Sequence, residues 1–540
     1  MTRDIVPRGT KRQEADTIIL KFAGGLSTRA SIIDINDNEC VDGQNFDLDL
    51  QNFAFRPRAP YDKIGTATNS AEIRGFASLQ KTDGSVSMLV QAGNTVYQWD
   101  GTNFTSKGTV SATAQLRGRL SHNWELDDVV LITDLNLQEQ VYQWNGSTLS
   151  TVTFTKNDGS TGWTGEFRAK YCTIDSERVM FSNVNDNSTA YPHLIVGSKR
   201  GSYTIISNDQ RPSSSLSEED PFFLLQPDLR PINGFVGAFN TVATSSRGGA
   251  MFQLTGASAK DFSFTPLYPR SGADGAESVV YVGNDIFYGR QGRIESLAAT
   301  QKFGDVETND LSEDIENSIE DYKDWTAVYN ERNQRAYFMP SGKNQLWVLH
   351  KPLLGMRISP WSKWVTANSL NMNFTAMMNC LDPTDGLEYV FAGDASGNLY
   401  KIEGSVNGGD GDGNTAVQTE RLSKLFSFQQ NAEVFDFEGW ILFEKKAVET
   451  TVTIKFEYNG DSIFNEEITE TLTGIPSAAY FSGGSYFSAG KYFGKAVSGR
   501  LTRRVWGIAG RSTEFQIRTT VDSKNDFEIA EIGCRFTAST

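Results

Sequence analysis

The segment VYQWDG at residues 96–101 returns almost unchanged as VYQWNG at residues 141–146, an offset of 45 residues. In both copies an apolar segment, at residues 88–90 or 129–132, precedes the motif and completes a strand–turn–strand unit. A repeat of about 40–50 residues that holds several short strands is typical of a β-propeller blade. The repeat therefore predicts an all-β chain built from blades around a central axis.

Five further strand–turn–strand units follow the same plan with different residues. They lie at residues 194–206, 242–254, 279–297, 336–349 and 389–402. One aromatic or apolar residue in each second strand marks the seven units: Tyr97, Tyr142, Tyr203, Phe252, Ile294, Trp347 and Tyr400. Successive markers are 42 to 61 residues apart. Because a closed ring of blades buries both faces of every sheet, we predict a β-propeller of six or seven blades, with a run of β-sandwiches as the alternative.

Composition changes divide the chain into four predicted parts. Residues 1–65 form an N-terminal arm with a strand segment, and residues 66–405 form the propeller. Residues 406–430, which begin with VNGGDGDGN, form a linker. Residues 431–540 contain strands with alternating apolar and polar positions, which predict an additional C-terminal β-sandwich-like domain.

One segment has the periodicity of a helix. In residues 309–325, Leu311, Ile315 and Ile319 recur every four residues, and acidic residues occupy the opposite side. The pattern predicts a single amphipathic surface helix with a solvated acidic face.

The chain has 540 residues and a formal net charge of −16, with 66 acidic and 50 basic side chains. This balance argues against tight binding to nucleic-acid phosphates, which needs Lys and Arg, but it allows a surface past which DNA slides. No apolar run approaches the ~18–20 residues of a membrane helix, and residues 1–13 lack the apolar core of a signal peptide. We expect synthesis in a cytoplasm and no membrane-spanning segment.

The sequence offers no recognisable catalytic or metal-binding pattern. Its four cysteines lie far apart with no CxxC pair, and its three histidines are dispersed. The segment GSYFSAGK at residues 484–491 lacks the spacing of a phosphate loop, and NDGSTGW at residues 157–163 contains the Asp-Gly pair of a hairpin turn. We predict no enzyme activity, no cofactor and no catalytic, cofactor-binding or metal-binding residue. A propeller enzyme acting on glycans stays an alternative, because 66 acidic residues offer many carboxylate pairs.

One basic segment stands out against the acidic background. Six basic residues occur there with no acid among them: Lys491, Lys495, Arg500, Arg503, Arg504 and Arg511. The segment is either a patch that faces DNA or an acidic partner, or a charged strand that protects a sheet edge.

The segment FAGGLSTRASIIDINDNECVDGQNFDLDLQNFAFRPR at residues 22–58 is rich in turn-forming residues. Gly24 and Gly25 allow a sharp bend, and the following Asp and Asn residues accept backbone N–H bonds in turns. Arg56 and Arg58 share one face of a strand and are placed for fork-like pairs with carboxylates. Because nothing here supplies a nucleophile or a complete metal shell, we interpret the segment as an assembly motif. The motif comprises Gly24, Gly25, Leu26, Arg29, Asp42, Asn45, Asp47, Arg56 and Arg58.

This segment resembles the N-terminal signature of the nozzle proteins of short-tailed bacteriophages, also named tail tubular protein B or stabilisation protein. Those chains begin with a GGLNTR-like phrase, then an acidic run, then LRPR before a propeller. The matching positions are Gly24, Gly25, Leu26, Thr28, Arg29, Asp37, Glu39, Asp42, Asn45, Asp47, Asp49, Arg56, Pro57 and Arg58. Ser27 stands where Asn is usual, and residues 53–55 replace the common Gly–Leu. The specific match covers about 40 of the 540 residues.

The resemblance implies a structural virion protein of the phage tail, made in the host cytoplasm. Such a chain forms a hexameric ring at the distal end of the tail, docks onto the adaptor ring beneath the portal and offers attachment surfaces for fibres or spikes. It lines and gates the channel through which double-stranded DNA is ejected, and acidic walls there would repel the phosphates. Two alternatives stay open: a receptor-binding or fibre protein, which should be trimeric, and a propeller enzyme acting on host glycans.

Overall fold

A computed structural model of the chain consists of two compact units. The propeller unit comprises Tyr61–Val348 and Asn371–Gly404, and the two-sheet unit comprises Met1–Pro60, Leu349–Leu370 and Ser405–Thr540. The structure describes residues 16–29, 31–48, 54–119, 128–160, 163, 166–186, 189–207, 209–237, 242–245, 249–268, 272–275, 277–283, 285–297, 309–366, 373–404, 415–427, 433–444, 450–458, 461–472, 501–508, 514–523 and 527–539.

The described part of the propeller unit forms seven antiparallel blades in chain order. Blades 1 and 2 contain Ile73–Gln80, Val86–Ala92, Thr95–Trp99 and Phe104–Thr109, then Leu116–Arg119, Val130–Asp134, Tyr142–Trp144 and Leu149–Thr151. Blades 3 and 4 contain Phe167–Asp175, Arg178–Asp186, Thr189–Gly197 and Phe222–Leu225, then Ile232–Val236, Val242–Ser245, Met251–Thr255 and Ser263–Tyr268. Blades 5 and 6 contain Val279–Val282, Asp285–Arg290, Arg293–Ser296 and Asn309–Asp310, then Trp325–Asn330, Arg335–Pro340 and Gln345–His350. Blade 7 contains Phe374–Leu381, Glu388–Asp394, Asn398–Ile402 and Tyr61–Thr66.

The blades close into a ring because the last blade meets the first. In blade 7, Tyr61–Thr66 from the start of the unit pairs with Asn398–Ile402 from its end. Thr375 of blade 7 also donates its hydroxyl to the carbonyl of Ile73 in blade 1 over 2.6 Å. Ring closure pairs strands that would otherwise be open edges. The predicted all-β propeller is confirmed, with seven blades.

The sequence repeat that indicated blades supplies the cores of blades 1 and 2. Trp99 and Trp144 end the third strand of their blades and are 1% and 0% exposed. The Trp99 ring lies 4.6 Å from that of Phe104, and the Trp144 indole N–H donates to the Ser87 hydroxyl over 2.9 Å. Trp99 therefore packs against the fourth strand of its own blade, whereas Trp144 of blade 2 bonds the second strand of blade 1 and so connects the two blades.

The end of the repeat builds the turn into the fourth strand. The Oδ1 atoms of Asp100 and Asn145 both accept the N–H groups two and three residues further on, over 2.7–3.0 Å. Gly101 and Gly146 follow with φ of +96° and +88°, which favour glycine. An Asp or Asn followed by Gly is therefore required by the same turn in both copies.

Blade 3 departs from the predicted repeat. Six of the seven markers lie on the third strand of their blades, but Tyr203 lies in the connection after Thr189–Gly197. The Arg178 guanidinium organises this connection by donating to the carbonyls of Ser198 and Asp220 over 2.7 and 2.8 Å. The predicted hairpin at residues 194–206 was therefore wrong, because this long connection imitates a strand–turn–strand pattern.

The predicted helix at residues 309–325 was too long. The structure contains a 3-10 turn, Glu313–Ile315, and one α-helical turn, Glu316–Ile319, before a strand begins at Trp325. Ile315 and Ile319 are fully buried, as the pattern required. Ile315 and Ile319, four residues apart, can both be buried by a single helical turn. The sequence pattern therefore predicted a longer helix than the structure contains.

The two-sheet unit contains two six-stranded sheets and a 349–370 segment with a 3-10 turn, Lys351–Leu353, and a strand, Trp361–Val365. The first sheet contains Asp16–Leu20, Phe46–Leu48, Phe55–Pro57, Glu433–Glu444, Leu501–Ile508 and Glu528–Ser539. The second sheet contains Cys40–Gln44, Val417–Ser423, Phe426–Ser427, Thr450–Tyr458, Asp461–Leu472 and Glu514–Ser523.

These sheets mix the two ends of the sequence, unlike the predicted division. Asp16–Leu20 pairs with Glu528–Ser539, and Cys40–Gln44 pairs with Val417–Ser423. The predicted arm and the predicted C-terminal domain therefore form one unit, whereas Tyr61–Thr66 belongs to the propeller. In the predicted linker, residues 406–414 lie outside the described residues and Val417–Ser423 is a sheet strand. Local composition could not show this, because the pairing strands are hundreds of residues apart.

Within the described residues, no helix is long and apolar enough to cross a membrane.

All four cysteines are buried, and we expect their thiols to be inert in the folded protein. Burial raises the pKa of Cys40 to about 11 and the pKa of Cys380 and Cys534 to about 12, so each stays a protonated, unreactive thiol near neutral pH. A thiol reagent at pH 8 should label none of them in the native chain and all four in denaturant. Labelling of native protein at the unfolded rate would contradict this assignment.

Candidate functional site

The assembly motif lies in the two-sheet unit, where buried Asn45 connects three separate segments. Its N–H donates to the Lys363 carbonyl over 2.8 Å, and its Nδ2 donates to the Gln418 carbonyl over 2.9 Å. Its Oδ1 accepts from the Val365 N–H at 2.7 Å and from Arg58 Nε at 2.8 Å. The φ of +58° lies in the left-handed region, which Asn tolerates better than most residues. We call Asn45, Arg58, Lys363, Val365 and Gln418 the Asn45 hub.

The two motif arginines fasten different parts of the same unit. Arg58 is 3% exposed, and its Nη2 donates to the Val365 carbonyl over 2.7 Å in addition to its bond with Asn45. Arg56 Nη2 lies 2.6 Å from Glu528 Oε2, and this Glu is almost fully buried. Arg56 therefore meets a carboxylate through Nη2, and Arg58 binds amide and carbonyl oxygens; fork-like pairing of the two arginines with carboxylates stays a prediction.

The glycine pair is needed for close packing. The Gly25 N–H donates to the Ser359 carbonyl over 2.8 Å, and its carbonyl accepts the Cys40 N–H at 3.1 Å. A Cβ on Gly25 would lie 2.0 Å from the Trp361 carbonyl oxygen. Neither Gly24 nor Gly25 has a positive φ. Glycine is therefore needed at position 25 because two backbone segments approach closely there. The predicted bend is not the reason, since the φ of Gly25 is not positive.

Leu26 and Glu39 extend the contact of the motif with the 349–370 segment. The Leu26 side chain is 1% exposed, and its N–H donates to the Trp361 carbonyl over 2.8 Å. Buried Glu39 accepts the Ser359 N–H on Oε1 over 2.6 Å. Where the motif meets the 349–370 segment, the Glu39 carboxylate and the backbone groups of Leu26, Ser359 and Trp361 therefore form hydrogen bonds with one another.

Arg421 is a member of this core that the sequence did not single out. Its guanidinium donates to the Asn38 carbonyl and lies 5.1 Å from the Phe22 ring and 5.5 Å from the Phe46 ring. Burial lowers the pKa of Arg421, because it disfavours the charged form. Arg421 and Ser359 lie more than 300 residues from the motif along the chain, and no local pattern marks them.

Three motif residues lie nearer the surface. Arg29 and Asp42 are exposed, and Asp42 Oδ1 is 3.4 Å from Lys363 Nζ. Asp47 is half-buried, with Oδ1 2.9 Å from the Leu48 N–H and 3.9 Å from His350 Nδ1. The structure therefore brings together the buried members, Gly24, Gly25, Leu26, Asn45 and Arg58, and leaves Arg29, Asp42 and Asp47 nearer the surface.

The arrangement is suited to holding the chain together. Among the residues that the structure describes, no group of three or more His, Cys, Asp or Glu side chains could hold a metal ion. The Asn45 side chain bonds Arg58, Val365 and Gln418, and Arg58 bonds Val365 as well, so these bonds join segments that are far apart in the sequence. The motif thus works as a brace between distant segments.

An ion pair crosses the centre of the propeller unit. Arg117 lies on the first strand of blade 2, and Glu277 lies just before the first strand of blade 5. Arg117 Nη2 is 2.7 Å from Glu277 Oε2, Nε bonds the other carboxylate oxygen, and the side chains are 5% and 16% exposed. Because blades 2 and 5 are not neighbours in a ring of seven, the pair spans the central channel.

Loss of the Arg117–Glu277 ion pair should destabilise the propeller unit. We expect Arg117→Met to lower the free energy of unfolding by about 3 kcal/mol, since it leaves a largely buried carboxylate without its partner. Arg74→Met is the control: the Arg74–Glu72 pair is at least a quarter exposed on both sides, and its loss should cost under about 1 kcal/mol. Urea unfolding of both variants measures the difference, and equal losses would contradict the bridging role.

The basic segment is only partly described. Lys491, Lys495, Arg500 and Arg511 lie outside the described residues. Arg503 and Arg504 lie on Leu501–Ile508, opposite Leu442 and Ile441 of the neighbouring strand. Among the strands that the structure describes, Leu501–Ile508 ends the order of the first sheet, and the choice between a partner-facing patch and an edge-protecting strand stays a prediction.

Comparison with known proteins gives similarity in fold only. No family model and no curated protein matches the chain. The BBS1N structure in complex with ARL6DN is 10% identical, with a TM-score of 0.41, and the match covers 65% of this chain and 98% of that one. The β-propeller domain of Myceliophteria thermophila Cps50 (Swd1) is 10% identical, with a TM-score of 0.38 and coverage of 64% and 100%. The WD40 domain of Toxoplasma gondii coronin is 10% identical, with a TM-score of 0.38 and coverage of 67% and 87%.

Proposed function

We propose that the chain is a structural virion protein, similar to the nozzle proteins of short-tailed phages, that forms a ring at the distal end of the tail. The observation that carries the proposal is the assembly motif, whose nozzle-like residues serve as an intramolecular brace. A brace of this kind suits a protein under mechanical load and needs no bond chemistry. The proposed partners are further copies of the chain, the tail adaptor ring, fibres or spikes, and DNA in transit.

The ion pair in the propeller supports a DNA path between copies of the chain. Arg117 and Glu277 occupy the centre of the ring of blades, so a duplex cannot pass through a single propeller. A channel for DNA would then be bounded by several chains around a shared axis. The net charge of −16 favours a wall that repels phosphates and lets DNA move without salt-dependent binding.

The first test is the number of copies in a purified phage particle. Quantitative mass spectrometry against the major capsid protein should give a value near six, as for one nozzle ring. A multiple of three well above six would favour a receptor-binding fibre or spike. Absence from the particle would overturn the structural role, and assays for host-polysaccharide turnover would then be the next measurement.

A further inference from the structure

The inner strand of blade 3 carries a half-buried lysine, Lys170, beside the central channel. Lys170 lies at the level of Arg117 in blade 2, because Arg117 pairs in the sheet with Thr133, whose hydroxyl donates to the Lys170 carbonyl over 2.8 Å. From this level the Arg117–Glu277 ion pair reaches across to blade 5. The ion pair and the inner strands of blades 3 and 4 therefore bound one side of the channel, which we call the blade 3–4 compartment.

The residues on either side of Lys170 fill the cores on the two faces of blade 3. Ala169 belongs to the core between blades 2 and 3, and Tyr171 belongs to the core between blades 3 and 4. Tyr171 also donates its hydroxyl to the carbonyl of Asn233 in blade 4 over 3.0 Å. Asn183, opposite Lys170 on the next strand, has a φ of +50° and lies at a shift of register. Both faces of the blade are thus occupied, which leaves the Lys170 side chain at the channel edge of the strand.

The charge of Lys170 is not balanced by a direct partner. Among the described residues, none forms a hydrogen bond or an ion pair with its ammonium. The neighbouring Asp134 is fully buried, and its carboxylate already accepts four backbone N–H groups. These donors, at 2.7–3.0 Å, belong to Gln115, Asn136, Gln138 and Glu139. Burial lowers the pKa of Lys170, and the attraction of Asp134 opposes this shift without cancelling it. A half-buried ammonium without a partner is unfavourable, and a bound anion would offset that penalty.

We propose that the blade 3–4 compartment binds a small oxyanion, with the Lys170 ammonium as its charged donor. Asn233 offers a second donor, because its Nδ2 is held by a long bond of 3.4 Å to the Ala273 carbonyl. The ligand must be small, since the Arg117–Glu277 pair crosses the channel at this level. Ammonium and amide donors suit the oxygen atoms of a sulfate, phosphate or carboxylate group. Binding inside one chain does not depend on the virion role, so the two proposals can fail separately.

Sulfate is the probe, because its charge does not change near neutral pH. Isothermal titration calorimetry of the full chain, with chloride holding the ionic strength constant, should detect sulfate binding, and Lys170→Met should weaken it about tenfold or more. Lys323→Met removes an exposed lysine of the same unit and should leave the affinity unchanged. The affinity of the unaltered chain should fall as the pH is raised, because Lys170, with its lowered pKa, loses its proton at a lower pH than a free lysine.

Protection of the amine is a second measurement, which needs no variant. Reductive methylation of the native chain, read at each lysine by mass spectrometry, should be slowed several-fold by sulfate at Lys170 and left unchanged at Lys323. Circular dichroism of both variants establishes that the fold is kept, and the methylation result decides if Lys170→Met does not fold. The absence of sulfate binding, equal binding by the unaltered and Lys170→Met chains, or equal methylation of Lys170 with and without sulfate would each overturn the proposed site.

Discussion

Gly25→Ala should lower the stability of the folded chain by about 3 kcal/mol or more, a large effect for the addition of one methyl group. The new Cβ would lie 2.0 Å from the Trp361 carbonyl oxygen and 2.9 Å from the Trp361 backbone nitrogen. Both are backbone atoms, so neither can rotate away, and the two segments must separate. Urea unfolding followed by tryptophan fluorescence measures the loss.

Gly108→Ala is the matched control for this substitution. Gly108 lies in a strand of blade 1, its φ is not positive, and the nearest atom to an added Cβ is Leu149 Cδ2 at 3.9 Å. The change should be within about 1 kcal/mol of neutral, since Ala also restricts the unfolded chain. Similar stabilities for the two variants would refute the close approach at Gly25.

Asn45→Ala should cost about 3 kcal/mol, because it removes the centre of the Asn45 hub. Arg58 Nε and the Val365 N–H would each lose an acceptor, and the Gln418 carbonyl would lose a donor. Buried groups left without partners cost more than the bonds themselves contribute. Alanine would also have to hold a φ of +58°, which Asn tolerates better.

Asn36→Ala controls for the loss of an amide from the same segment. Asn36 is exposed, and its Nδ2 makes a bond of 3.2 Å to the Arg357 carbonyl. We expect a loss below about 1 kcal/mol from this surface bond. Denaturant titration at equal pH compares the two variants, and an Asn45→Ala chain as stable as Asn36→Ala would mean that the hub contributes little to the fold.

The propeller could be predicted from sequence because its evidence is local and repeated. Trp99 and Trp144 anchor equivalent strands, and the turn after each imposes the same Asp or Asn followed by Gly. The prediction failed where a connection imitates the repeat, at Tyr203, since a strand–turn–strand pattern does not reveal whether its strands pair.

The brace could be predicted only in part. The motif residues were recognisable from their resemblance to a family signature, but their partners were not. The Val365 N–H that binds Asn45 lies 320 residues away along the chain. Backbone groups carry no residue identity, so the sequence holds no sign of such a partner. The same applies to the Ser359 N–H bound by Glu39.

Because Tyr61–Thr66 pairs with Asn398–Ile402, the ring of blades cannot close during synthesis until the second of these strands has left the ribosome. At about 5–20 residues per second, the chain between these strands takes tens of seconds to synthesise, and the first strand waits unpaired throughout. Asp16–Leu20 waits longer still for Glu528–Ser539. Both units therefore complete late, after long stretches of apolar strand have been exposed, and their production should depend strongly on chaperones and on growth temperature.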